Sequence, residues 1–198
     1  MEKAQRIEDP AYLSRGKAWI LFLAMCALFL ISNRGAYRGY FHDDDLDTIS
    51  WERYAPTAGF VQVIFSPYFQ INNFRPAAAV NYQLLEKQFG LSFPPHVVLI
   101  HALHLLNIWL VWLLARRLGA DIFGASAASL FFGFHMASFD IYWKPLFMFD
   151  LECATFCLLS LLFYTQRRFV LSFVAFWLAY KCKELGVMLP AVLVVYEF

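Results

Sequence analysis

Charge is what this sequence has least of. Aspartate, glutamate, lysine and arginine make up only 16% of its 198 residues and sum to +1, so nothing in the balance calls for a nucleic-acid partner. Cysteine is scarce as well, with Cys26, Cys153, Cys157 and Cys182 the whole supply. The first three lie in apolar runs, and no disulfide framework can be read from them. Cys153 and Cys157 share a helix face four positions apart, yet no third or fourth ligand is near them. Small packing residues are the better reading than a metal or redox pair. No 34-residue helical repeat is present, and no small-x-small cleavage site follows the first apolar run.

What the chain has in plenty is apolar surface. Hydrophobic residues reach 61% and aromatics 19%, with a mean hydropathy of +0.53, where a soluble domain holds about 45–50% apolar residues. The excess is gathered into runs, which predicts an all-α integral membrane fold: a polytopic bundle of about five or six transmembrane helices. Residues 1–198 read as one transmembrane domain.

The first run, "AWILFLAMCALFLIS" from Ala18 to Ser32, follows Lys3, Arg6, Arg15 and Lys17 and reads as a retained span. Residues 33–95 form the first non-cytoplasmic loop. It contains "YFHDDDLDTISW" and then "FSPYFQINNFRP". The stretch "AAAVNYQLLEKQFGL" reads as a short amphipathic helix on the membrane surface, begun near Pro76 and ended by Gly90. Further spans are expected at about 96–115, 122–139, 146–164, 169–180 and 185–196. The third of the six is rich in Gly, Ala and Ser, which suits close helix contact. Arg116-Arg117 and Arg167-Arg168 close alternate spans and the N-terminus is basic too, which assigns all three to the cytoplasm.

The opposite face then receives Asp43, Asp44, Asp45, Asp47, Asp140 and Glu184 together with Arg75, Lys144, Lys181 and Lys183. Carboxylates beside guanidinium and ammonium groups at a membrane boundary suit one chemistry. The acids can serve as general base or hold a divalent cation, and the bases can hold a phosphate. Closely spaced carboxylates such as Asp43 and Asp45 offer hard oxygen ligands to magnesium or manganese, although acidic loop runs are more often simply solvated. His101 and His104, three apart on the second span, could bind a metal, but polar helix packing is the commoner role. His135 and Asp150 lie within or near spans, where burial makes an ionisable group a functional candidate.

The order of these motifs resembles polytopic glycosyltransferases of the GT-C superfamily. Within it, the chain is most similar to the membrane part of tetratricopeptide-containing O-mannosyltransferase-like proteins and their bacterial relatives. The residues that carry the resemblance are "HDDD", then "FRPAAAVNYQLLEKQFGL", then "HVVLIHALHLLNIWLVWLLARRLG". His135, Asp140 and Asp150 follow, and "KELGVMLPAVLVVYEF" with Lys183, Pro190 and Glu197 comes last. The chain departs from the pattern where Met136 stands for a proline, Asp140 for a glutamate and Met148-Phe149 for a basic pair.

The resemblance implies a sugar donor on a polyprenyl phosphate and an acceptor protein or glycan. Transfer with inversion would take place at the periplasmic or lumenal face of a bacterial inner membrane or the endoplasmic reticulum. It implies Asp44 as base, Asp43 or Asp45 as its neighbour or a metal ligand, and Asp140 as the second acid. Arg75, Lys183 and Lys144 would hold the lipid phosphate. Tyr40, Trp51, Tyr68 and Trp143 could stack on sugar, with an interface belt the alternative for Trp143. Relatives usually continue into further spans, so a truncated or non-catalytic scaffold and a lipid or small-molecule transporter are the competing expectations.

Overall fold

Long apolar runs with few breakers leave the backbone no better partner than itself, and the chain answers with helices. The computed structural model describes residues 10–54, 56–67 and 75–197, and among these there is no strand. Nine α-helices are found there: α1 (Pro10–Ser32), α2 (Asp43–Tyr54), α3 (Thr57–Phe65), α4 (Pro76–Phe89), α5 (Phe93–Arg117), α6 (Ile122–Phe134), α7 (Met148–Thr165), α8 (Phe169–Cys182) and α9 (Leu189–Glu197). Short 3-10 turns span Arg34–Arg38, Met136–Tyr142, Pro145–Phe147 and Glu184–Met188.

Among the described residues, three segments are long and apolar enough to cross a membrane: Trp19–Arg38, Phe93–Arg117 and Pro145–Thr165. The other expected spans are helical but shorter. α6 has 13 residues and α8 has 14, about 20 Å each at 1.5 Å per residue, against a hydrocarbon core of about 30 Å. The expected span over 185–196 is a 3-10 turn followed by the nine residues of α9. Likewise the third span ends at Phe134 rather than Phe139, because His135 turns extended (ψ 128°).

The bundle is held by polar stitches between apolar faces. α7 and α8 form an antiparallel hairpin whose tight turn sets Arg167 in the left-handed region at φ 59°. Ser160 and Ser172 each donate to the other's carbonyl, at 2.8 and 2.9 Å. Asn107 of α5 donates to the Leu151 carbonyl of α7 at 3.0 Å and accepts from the Thr155 hydroxyl at 2.7 Å. Ser129 and Gly133 let α6 lie close on α5: the Ser129 hydroxyl donates to the Ile108 carbonyl, and a Cβ on Gly133 would meet Ile108 at 2.8 Å. Such small and hydroxylated residues bring helices together where lipid competes for apolar contact. α1 joins through rings: Trp19 stacks on Trp109, and buried Phe29 meets His101, His104 and Tyr142.

The sequence reads 33–95 as a loop with one surface helix, but its described residues fold into α2, α3 and α4. α4 has the expected bounds, with Pro76 in the first turn and Gly90 beyond its end at φ 58°. One of its faces is spent on protein. Ala78 and Tyr82 lie in a core cluster with Ile49, Ile100, Met148, Phe149 and Ala179, while Leu84 and Phe89 stay exposed.

Candidate functional site

The acidic run is the first turn of α2. Asp43, Asp44 and Asp45 open the helix, where carboxylates complement its positive end. Asp45 is only 1% exposed and both of its oxygens are in use. One accepts the His42 backbone N–H at 3.1 Å, which closes the start of the helix in the manner of a capping box. The other accepts the Leu146 N–H at 2.6 Å, across 101 positions of sequence. Burial raises the Asp45 carboxyl above its ordinary range, against the two N–H donors and the fields of His42 and His96. Asp44 is exposed. The side chains of Asp43 and Trp51, and all of Tyr68, lie outside the described residues.

Asp45 thus ties α2 to the Pro145–Phe147 turn, and that turn leads directly into α7. Asp150 sits in the first turn of α7 and meets Lys183, the residue that follows α8, in an ion pair. Its neighbour Glu184 is met by Arg75 at the head of α4. The guanidinium donates through Nε and Nη2 to the two carboxylate oxygens, both at 3.2 Å, and lies 5.5 Å from the Phe149 ring centre. Arg75, Asp150, Lys183 and Glu184 therefore form one charged cluster where α4, α7 and the end of α8 meet. Their side chains are 19–45% exposed. Partial burial pushes the Glu184 carboxyl up. Its own backbone N–H, the Arg75 fork and the Lys183 charge outweigh that, and the carboxyl ends below its ordinary range.

Beneath the cluster lies a buried layer. Glu152, 4% exposed, accepts from the Asn81 amide of α4 and from the Cys182 thiol of α8. Cys153 donates to the Lys183 carbonyl at 3.9 Å. The sequence reading passes over Glu152, although an acid inside the apolar stretch "FDLECATFC" is a readable signal, since burying it in a membrane is costly.

Of the residues named from the sequence, the structure brings Arg75, Asp150, Lys183 and Glu184 together and places the following ones elsewhere. Lys144 pairs with Asp140 at 3.2 Å, four positions apart and exposed. Trp143 donates from its indole to Asn33 at 2.8 Å and packs over Gly35, so it anchors the turn after α1. Tyr40 is 70% exposed, and His135 stands exposed at the end of α6 beside Phe131. His101 and His104 are buried in helix contacts. His101 accepts from Tyr37 and donates to the Tyr142 carbonyl, both at 2.9 Å, and His104 donates to the Gly133 carbonyl.

A divalent cation finds no ready cradle among the described residues. No group of three or more His, Cys, Asp or Glu side chains is placed to hold one, and the Asp45 oxygens are already taken by backbone N–H groups. Compared with the profiles of known protein families, with curated proteins and with solved structures, the chain matches none.

Proposed function

We propose that the chain moves a sugar from a polyprenyl-phosphate donor to a hydroxyl acceptor at the membrane surface, as a GT-C-like bundle of five or six membrane-embedded helices. The observation that supports this most is the convergence of Arg75 and Lys183. They come from distant parts of the chain and lie at the end of the bundle to which Asp45 ties the acidic turn. An arginine fork that grips a carboxylate in two parallel bonds has the geometry to grip a phosphate in the same way.

In this reading Asp44 is the base. Its exposed carboxylate takes the proton of the acceptor hydroxyl as the acceptor oxygen attacks the anomeric carbon. The bond from that carbon to the phosphate oxygen breaks, and the electron pair leaves with the polyprenyl phosphate. Arg75 and Lys183 neutralise that charge by exchanging Glu184 and Asp150 for phosphate oxygens. Asp45 positions the turn without entering the chemistry. The active face would be periplasmic or lumenal, with Arg116-Arg117 and Arg167-Arg168 on the other side.

The experiment is release of sugar from undecaprenyl- or dolichyl-phosphate mannose by membranes that carry the whole chain. Asp44→Asn should cut transfer at least about a hundredfold with normal membrane insertion. Transfer that is unchanged in Asp44→Asn would sink the assignment of the base. A second reading, a non-catalytic membrane scaffold, draws on the internal pairing of all four cluster charges. It predicts that wild type and Arg75→Gln bind polyprenyl phosphate equally poorly.

A further inference from the structure

The far end of the bundle has a second constellation that the proposed transfer does not use. α5 and α7 run side by side and end together: the Arg117 guanidinium donates to the Thr165 carbonyl at 3.0 Å. Between these ends lies a cleft of about 340 Å³ lined by Leu113, Arg116, Arg117, Leu162 and Gln166. That volume falls in the roughly 300–1,000 Å³ range of small-ligand sites. Leu113, Leu162 and Gln166 are half-buried and the two arginines are exposed.

Helix C-termini welcome cations, and Arg117 caps the end of α7 through the Thr165 carbonyl. Arg116 donates to the Ala120 carbonyl at 2.9 Å and lies 5.9 Å from the Trp112 ring centre. Each of these bonds uses one donor of the five on its guanidinium. Among the described residues neither arginine meets a carboxylate, whereas Arg53, Arg75, Lys144 and Lys183 each do. Two adjacent guanidinium groups with donors to spare therefore border a cleft whose remaining wall is two leucines and one amide.

We propose that this cleft binds a phosphodiester, that of an anionic phospholipid, with the phosphate between Arg116 and Arg117 and the start of an acyl chain against Leu113 and Leu162. The charge calls for an anion, and the planar forks favour phosphate oxygens. Basic pockets between membrane helices are suited to lipid headgroups. The leucines give an acyl chain a surface that a free phosphate has no use for.

The test is native mass spectrometry of the whole chain in detergent, with phosphatidylglycerol and phosphatidylcholine of the same acyl chains. Wild type should retain phosphatidylglycerol in preference. The double variant Arg116→Gln/Arg117→Gln should bind it about thirtyfold more weakly, at about 1 kcal/mol for each charge. Arg167→Gln/Arg168→Gln, at the same end but outside the cleft, should bind it like wild type. Equal binding by wild type and the cleft variant would overturn the site. So would equal loss in both double variants, because the effect would then be diffuse charge. Inorganic pyrophosphate supplies the soluble arm: affinity equal to that of phosphatidylglycerol would overturn a lipid as the occupant, and a clear preference for the lipid supports it. If the glutamine pair fails to fold, Arg116→Lys/Arg117→Lys keeps the charge without the fork. It should lose part of the preference, and an undiminished preference would overturn the site.

Discussion

At the scale of single residues, Glu184 is the hinge of the charged cluster, because it alone faces Arg75 and adjoins Lys183. Its folded carboxyl titrates below the ordinary value of 4.5, so the unfolded chain binds its proton first as pH falls. The pairing therefore stabilises the fold above pH 4.5 and is lost as pH drops through the lower, folded value. The thermal midpoint of wild type in detergent should exceed that of Glu184→Gln by a constant margin at neutral pH, and the margin should shrink below pH 4.5. Asp45 titrates in both proteins and cancels from the difference. A margin that grows on acidification would contradict the pairing. Arg75 and Lys183 are legible in the sequence as cations on the face opposite the arginine pairs. Their partners are not, because Arg75 and Glu184 lie 109 positions apart and only tertiary packing makes the choice. Asp44 and Asp45 are legible as acids but not in their division of labour. Which of the two is buried depends on where the Leu146 N–H arrives.

At the scale of elements, apolar runs and their breakers announce the helices well, and α4, α5 and α7 begin and end close to where Pro76, Pro94, Gly90 and the arginine pairs suggest. The reading fails where helices are short and polar. α2 starts with three carboxylates, a recognised helix opening that membrane context disguises as a loop. The turn after α8 is another element that packing decides. A Cβ on Gly186 would stand 2.7 Å from the Tyr180 nitrogen and 2.8 Å from the Ala179 carbonyl carbon, and backbone atoms cannot swing aside. Gly186→Ala should therefore push the Glu184–Met188 turn off the end of α8 and cost about 1–3 kcal/mol. Lys183 and Glu184 would shift with the turn. Gly16→Ala, where nothing lies within 4 Å of the added atom, should be neutral or slightly stabilising. Thermal midpoints of the two variants check this, and equal midpoints would show that the turn yields.

At the scale of the whole molecule, charge is sorted to the two ends of the bundle. Asp150, Lys183, Glu184 and Arg75 meet at the end where α7 starts and α8 stops. Arg116, Arg117, Arg167 and Arg168 lie where α5 and α7 stop and α8 starts. The cluster at the first end is balanced by its own ion pairs. At the second, no described carboxylate pairs with an arginine. The positive-inside bias counts lysine and arginine in short loops at the ends of spans and gives acids little weight, and Arg116-Arg117 and Arg167-Arg168 stand in two such turns. The two ends should therefore lie on opposite sides of the membrane, with the arginines in the cytoplasm. Single cysteines introduced by Asp44→Cys and by Arg168→Cys, in a chain freed of its four native thiols, give the measurement. A membrane-impermeant maleimide applied to intact cells or sealed lumen-out vesicles should label the first and spare the second. Labelling of both from the same side would show that the shorter helices α6 and α8 do not cross. The acidic turn and the arginine cleft would then share a face, and the division between a catalytic end and a lipid-holding end would fall.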